Sequence, residues 1–134
     1  MKKYLFLIDD DEAIQFIVKS FVEKSDFFNN YESAKNGFEA LEKLKDLPEL
    51  PTTFLVDINM PVMNGFEFID EFMLSENFNI NNHTIAMISS SDNPQDIERM
   101  RSLKSIDLFL KKPFRKDYLI QLNNLTELKL KKGA

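Results

Sequence analysis

The 134-residue chain has no cysteine. Disulfides and thiolate metal sites are therefore excluded, and the composition fits a reducing, cytoplasmic setting. Its one histidine, His83, reads as a strand-entry residue near solvent; a phosphohistidine role would ask for a helical histidine in a bundle, which its surroundings are not. Long apolar runs are missing too, and nothing approaches the roughly 20 residues of a membrane span. Lys2 and Lys3 precede only five apolar or aromatic residues before Asp9, too short a core for a signal peptide. A basic surplus is also lacking. Asp and Glu (22) outnumber Lys and Arg (17), for a net charge of −5 and a pI near 4.9, which disfavours a duplex nucleic-acid partner. No internal repeat, low-complexity block or linker interrupts the chain.

What is present is enough apolar material for one domain over residues 1–134: 43% hydrophobic residues, 13 of the chain's residues being Phe. The core runs over about 3–128, and Lys129, Lys131 and Lys132 give a basic tail over 129–134, read as a solvated helix end that complements the helix dipole. Tyr4–Ile8 is an apolar run of strand length, followed by Asp9-Asp10-Asp11-Glu12, acids suited to a helix start. Ile14, Ile17, Val18, Phe21 and Val22 form an apolar helical stripe. Tyr31–Ala34 predicts a short second strand, and Ala40, Leu41, Leu44 and Leu47 a second helix ended by Pro48 and Pro51. Thr53–Val56 is a third strand, with a third helix marked by Phe66, Ile69, Phe72 and Met73. The Asn-rich stretch 77–83 reads as a loop, and Thr84–Ile88 as a fourth strand. Pro94 suits the first position of a fourth helix carrying Ile97 and Met100. Leu108–Leu110 is a fifth strand, and Tyr118, Leu122 and Leu125 mark a last helix. Strand and helix alternate five times, which implies a parallel sheet with right-handed crossovers, covered on both faces.

Ligands of such sheets bind at the strands' C-terminal ends. There the chain offers Asp9, Asp10 and Asp11; Asp57; Ser89, Ser90 and Ser91; and Lys111, Lys112 and Pro113. Crowded carboxylates repel one another, and a divalent cation resolves the conflict. Oxygen ligands from Asp side chains and a backbone carbonyl suit Mg²⁺, which also binds phosphate. A metal, an ammonium and a hydroxyl around one Asp are the equipment of phosphoryl transfer, and an Asp carboxylate can itself form an acyl phosphate.

In Ile8-Asp9-Asp10-Asp11, Asp57-Ile58-Asn59-Met60-Pro61-Val62-Met63-Asn64-Gly65, Ile88-Ser89-Ser90 and Phe109-Leu110-Lys111-Lys112-Pro113-Phe114, the chain resembles the receiver domains of two-component response regulators. The resemblance covers about the whole chain. It implies an α/β, flavodoxin-like (βα)5 three-layer sandwich whose five-stranded parallel sheet has the order 2-1-3-4-5. It further implies that Asp57 is the phosphoacceptor. Mg²⁺ would be held by Asp9, Asp10, Asp57 and the backbone carbonyl of Asn59. Lys112 would contact the phosphoryl group, Ser89 would be the switch hydroxyl and Phe109 the switch aromatic. Asn59 and Ser91, both small and uncharged, would tune hydrolysis to an intermediate lifetime. The Lys112–Pro113 bond is cis in the family. Ser90 in place of the usual Ala, Ser105 in place of the usual Gly before the fifth strand, and a long loop before the fourth strand are departures outside these positions.

Each motif also has a bland reading: a charged helix start, a solvated loop acid, a Ser cap cluster, two solvated lysines. The bland account must put all four at strand ends at once. For Phe109 it is an ordinary strand residue, and the remaining Phe residues read as core. An alternative from another class is a haloacid-dehalogenase-like Mg²⁺-dependent phosphatase, which also starts with Asp-x-Asp after a strand. Glu12, the absence of an acidic pair after Lys112, and the lack of a cap segment weigh against it. The resemblance implies a stand-alone signalling protein, not a turnover enzyme. Its partners would be a sensor histidine kinase or histidine phosphotransfer protein and a downstream protein, with no nucleic acid and no membrane, as a monomer or weak dimer.

Overall fold

Five strands and five helices alternate in the computed structural model, which describes residues 3–47, 51–75, 83–90 and 92–133. They are β1 (Tyr4–Ile8), α1 (Glu12–Lys24), β2 (Asn30–Ala34), α2 (Gly37–Leu44), β3 (Thr52–Asp57), α3 (Gly65–Met73), β4 (His83–Ser89), α4 (Pro94–Ser102), β5 (Leu108–Lys111) and α5 (Lys116–Gly133). The strands lie in the order β2-β1-β3-β4-β5, every pairing parallel. The order that the resemblance implies is the order found.

Because successive strand side chains point to opposite faces, the apolar runs split into two cores. Phe6, Ile8, Phe54, Val56, Ile85 and Met87 face α2, α3 and α4. Leu5, Leu7, Leu55, Ala86, Ile88 and Leu110 face α1 and α5. Phe54 on central β3 is fully buried, and its ring lies 4.8 Å from Phe72, 5.8 Å from Phe6 and 5.6 Å from the His83 ring. Phe is thus mainly a core residue, with Phe16 and Phe38 on the surface.

Three local differences from the expected elements have physical causes. Helix α2 stops at Leu44 in a turn where the Lys45 and Asp46 N–H groups reach back three residues, so Leu47 packs on the core from outside the helix. The helix therefore ends ahead of the prolines; Pro48 and residues 77–82 lie outside the described residues. On α1 only Val18 and Val22 are fully buried, because the helix docks through a narrow strip. Residues 129–133 continue α5, as a helix end should, but Lys129 is tied down and not solvated: its ammonium bonds the His83 carbonyl at 2.6 Å and the Asp107 carboxylate at 2.8 Å.

Helices α2 and α3 begin with the same tetrapeptide, Asn-Gly-Phe-Glu, at 36–39 and 64–67. Each Asn is the N-cap and accepts the N–H of its Glu, at 2.8 Å for Asn36 and 2.9 Å for Asn64. At Asn64 the Glu67 carboxylate returns the bond, completing a capping box. This start of α3 sits directly behind the end of β3 and fixes the turn that leaves Asp57.

Candidate functional site

The four acids after β1 divide their work. Asp11 caps α1 by accepting the N–H groups of Ala13 (2.8 Å) and Ile14 (3.3 Å), and Glu12 lies in the first turn. Asp9 and Asp10 are left to the strand ends. Asp9 is fully buried: its N–H donates to the Ala34 carbonyl at 2.9 Å, and its Oδ1 accepts the Asp11 N–H at 2.9 Å. Asp57 ends β3 with only 4% of its surface exposed, and its Oδ1 accepts the Asn59 N–H at 3.4 Å. Lys112, just past β5, brings its ammonium to 3.1 Å from Asp9 Oδ2 and 3.4 Å from Asp57 Oδ2. Asp9, Asp10 and Asp57 each offer a carboxylate oxygen, all within 4.8 Å of one another.

Three carboxylates against one ammonium leave the pocket electron-rich. Burial, then the Asp9 charge, push the Asp57 carboxyl up to about 6 despite Lys112 and the Asn59 N–H. Burial raises Asp9 as well, against the Asp11 N–H and Lys112. Burial alone would lower the Lys112 ammonium, but Asp57 and Asp9 together outweigh it and raise it. The pocket therefore favours any added positive charge.

With that geometry in view, the family model described as "Response regulator receiver domain" matches residues 5–124. The chain belongs to the response regulator receiver family. Similar proteins include the transcriptional regulatory protein CpxR homolog of Haemophilus influenzae, 32% identical over 117 residues, 87% of this chain and 46% of that protein. The chemotaxis protein CheY of Thermotoga maritima is 37% identical over 73 residues, 54% of this chain and 58% of that protein. The aligned parts thus span less than two thirds of either curated relative. A crystal structure of a two component response regulator from Cytophaga hutchinsonii superposes with a TM-score of 0.80 at 27% identity, over 94% of this chain and 98% of that one.

In this receiver Ser89 closes β4, is buried, and its carbonyl accepts the Lys112 N–H at 2.9 Å, so the Ser and Lys strand ends are locked side by side. The Lys112–Pro113 peptide is cis, as the resemblance implied. Asn59 is exposed on the loop after Asp57. Phe109 is half-buried on β5, where it lines a shallow cavity with Met100, Leu103 and Ile106 beside the end of α4. Ser91 lies outside the described residues, as does the long loop before β4. Ser105 is buried in the turn before β5; among the described residues only Val62 has a positive φ, so this turn needs no glycine.

Sequence reasoning missed three features around the pocket. Gln15 reaches back from α1 to the Asp9 carbonyl at 2.6 Å. Lys111 and Asp92 form an exposed ion pair at the rim, signalled only by opposite charges next to two strand ends. Val62 sits at φ 69°, in a turn that a glycine or asparagine would normally fill. Val62 is 82% exposed and has little packing to lose. Val62→Gly is therefore expected to stabilise the fold by about 1 kcal/mol, the relief of a β-branched residue from the left-handed region less the extra chain entropy of glycine. The denaturant midpoint measures it; an unchanged or lowered midpoint would show that the turn carries no strain.

Proposed function

We propose that Asp57 accepts a phosphoryl group from the phosphohistidine of a sensor kinase or histidine phosphotransfer protein, in a Mg²⁺-dependent reaction, and that the phosphorylated form signals through a protein-binding face. The observation that carries this reading is the meeting of Asp57 with the Lys112 ammonium and the Asp9 and Asp10 carboxylates at the C-terminal edge of the sheet.

The donor set fits Mg²⁺. Three carboxylate oxygens lie within 4.8 Å of one another, and Asp9 Oδ2 is buried with an ion-pair neighbour but no aligned hydrogen bond. Asp9, Asp10, Asp57 and the Asn59 carbonyl would hold the ion, which when bound neutralises charge on the phosphoryl oxygens. With its carboxyl at about 6, Asp57 is mostly ionised at neutral pH even without the ion. Its carboxylate attacks phosphorus in line. The new O–P bond forms as the N–P bond breaks, and the electron pair returns to the donor's imidazole. Lys112 stands where its ammonium can follow the negative charge onto the transferred group. The Ser89 hydroxyl, one strand away, supplies a donor to a phosphoryl oxygen. Its movement toward that oxygen would let Phe109 turn inward and alter the face of α4, β5 and α5, a two-state element biased by local electrostatics. Asn59 and Ser91 would set how readily water reaches the acyl phosphate. The receiver family match supports this reading over the phosphatase alternative.

Incubation with acetyl phosphate and Mg²⁺ is expected to add one phosphoryl mass to the intact chain, with no adduct after chelation. No adduct on the folded wild type would overturn the reading. Identical amide shifts on the α4–β5–α5 face with and without beryllofluoride would remove the switch.

A further inference from the structure

The peptide that joins Asp9 to Asp10 carries both acids, and its orientation decides where their carboxylates point. Its carbonyl belongs to Asp9. Strand β1 has ended at Ile8, so this carbonyl lies beyond the ladder, on a residue with no exposed surface. A buried carbonyl without a partner costs on the order of 1–3 kcal/mol, so something must answer it. Gln15 does, through its Nε2 at 2.6 Å.

Gln15 is itself well anchored. Its N–H donates to the Asp11 carbonyl at 3.1 Å within the first turn of α1, and its own carbonyl accepts the Tyr31 hydroxyl from β2 at 3.2 Å. With the Ala34 carbonyl on the Asp9 N–H and the Asp11 N–H on Oδ1, every polar backbone group of Asp9 and one of its carboxylate oxygens is tied. The remaining oxygen, Oδ2, is the one that faces Lys112 and the pocket.

We propose that Gln15 is a positioning residue of this site, holding the Asp9–Asp10 peptide so that both carboxylates converge on the cation; this rests on the Mg²⁺-dependent reading above. It touches neither the ion nor the phosphoryl group and acts only through the Asp9 carbonyl. Second-layer hydrogen bonds of this kind typically change metal affinity by about 10–100-fold when removed.

The test is a Mg²⁺ titration of the full chain followed by amide chemical shifts, with denaturant stability measured without metal. Gln15→Met keeps the length and loses the donor. Gln15→Asn keeps the amide but falls one methylene short, and serves if the Met variant does not fold. Either is expected to weaken Mg²⁺ about tenfold, with the largest metal-free shift changes at Asp9 and Asp10. The acetyl phosphate reaction at saturating Mg²⁺ should return to the wild-type rate. Unchanged Mg²⁺ affinity in a folded variant overturns the proposal, as does a rate that stays low at saturation. Failure of the wild type to bind Mg²⁺ would instead overturn the reading on which the proposal rests.

Discussion

Without a divalent cation, Asp57→Asn is expected to be more stable than the wild type at pH 7, by about 1–3 kcal/mol, while losing phosphoryl uptake entirely. The folded Asp57 carboxyl stands at about 6 against 3.8 for a free one, raised by burial and then by Asp9. The folded state thus holds its proton more tightly than the unfolded chain. The associated stability is complete below about pH 4 and is lost as the pH rises through about 6. At neutral pH the wild type carries an ionised, buried carboxylate beside Asp9. Asn keeps the shape, removes that charge, and leaves Lys112 and Asp9 paired at 3.1 Å. The wild-type denaturant midpoint should therefore rise as the pH falls from about 7 to 5. In the Asn variant that slope is reduced to the part due to Asp9, which is raised in the same direction. Mg²⁺ should stabilise the wild type at pH 7 and do much less for the variant. A less stable Asn variant at pH 7, or equal pH slopes, would mean that the pocket is not under electrostatic tension.

The strand tips were legible because the chemistry there is unlike its surroundings. A lone acid after Phe54-Leu55-Val56, or a Lys-Pro after Phe109-Leu110, stands out against an apolar run. The parallel sheet was legible for the same reason, since strands buried on both faces read as unbroken apolar stretches. What could not be read depends on contacts made at a distance. The tetrapeptide Asn-Gly-Phe-Glu occurs twice, yet Phe38 is 56% exposed and Phe66 only 3%. Local sequence specifies the cap in both places, whereas burial follows from where each helix meets the sheet. Gln15 carries no signal in the sequence because an amide on a helix surface is ordinary. Only the end of β1 at Ile8, and with it the stranded Asp9 carbonyl, gives that amide a task. From sequence Lys129 reads as part of a solvated tail, because its partners, the His83 carbonyl and Asp107, are far away in sequence.

Gly65→Ala is expected to destabilise the fold by about 3 kcal/mol or more and to lower phosphoryl uptake with it. A Cβ at Gly65 would lie 2.4 Å from the Asp57 carbonyl oxygen and 3.1 Å from its carbonyl carbon, backbone atoms that cannot swing aside. The Gly65 N–H also donates to the Ile58 carbonyl at 3.0 Å, closing the turn after β3. Relief therefore requires moving α3 or the end of β3. The first loosens Phe66, Phe68, Ile69 and Phe72 from the core; the second displaces the peptide that carries Asp57. The matching position in the other copy of the tetrapeptide is the control. A Cβ at Gly37 would meet Met63 Cγ and Sδ at 2.8 Å and the Phe68 Cβ at 2.9 Å. Met63 is half-exposed and flexible and can yield, leaving one tight contact, so Gly37→Ala should cost less, about 1–2 kcal/mol. Both substitutions place Ala after an Asn cap in the first turn of a helix, where Ala is intrinsically favoured over Gly. Any difference in denaturant midpoint is then a measure of what the Cβ meets. Equal midpoints would show that α3 does not press on the end of β3, and with that the account of how Asp57 is held in place would fail.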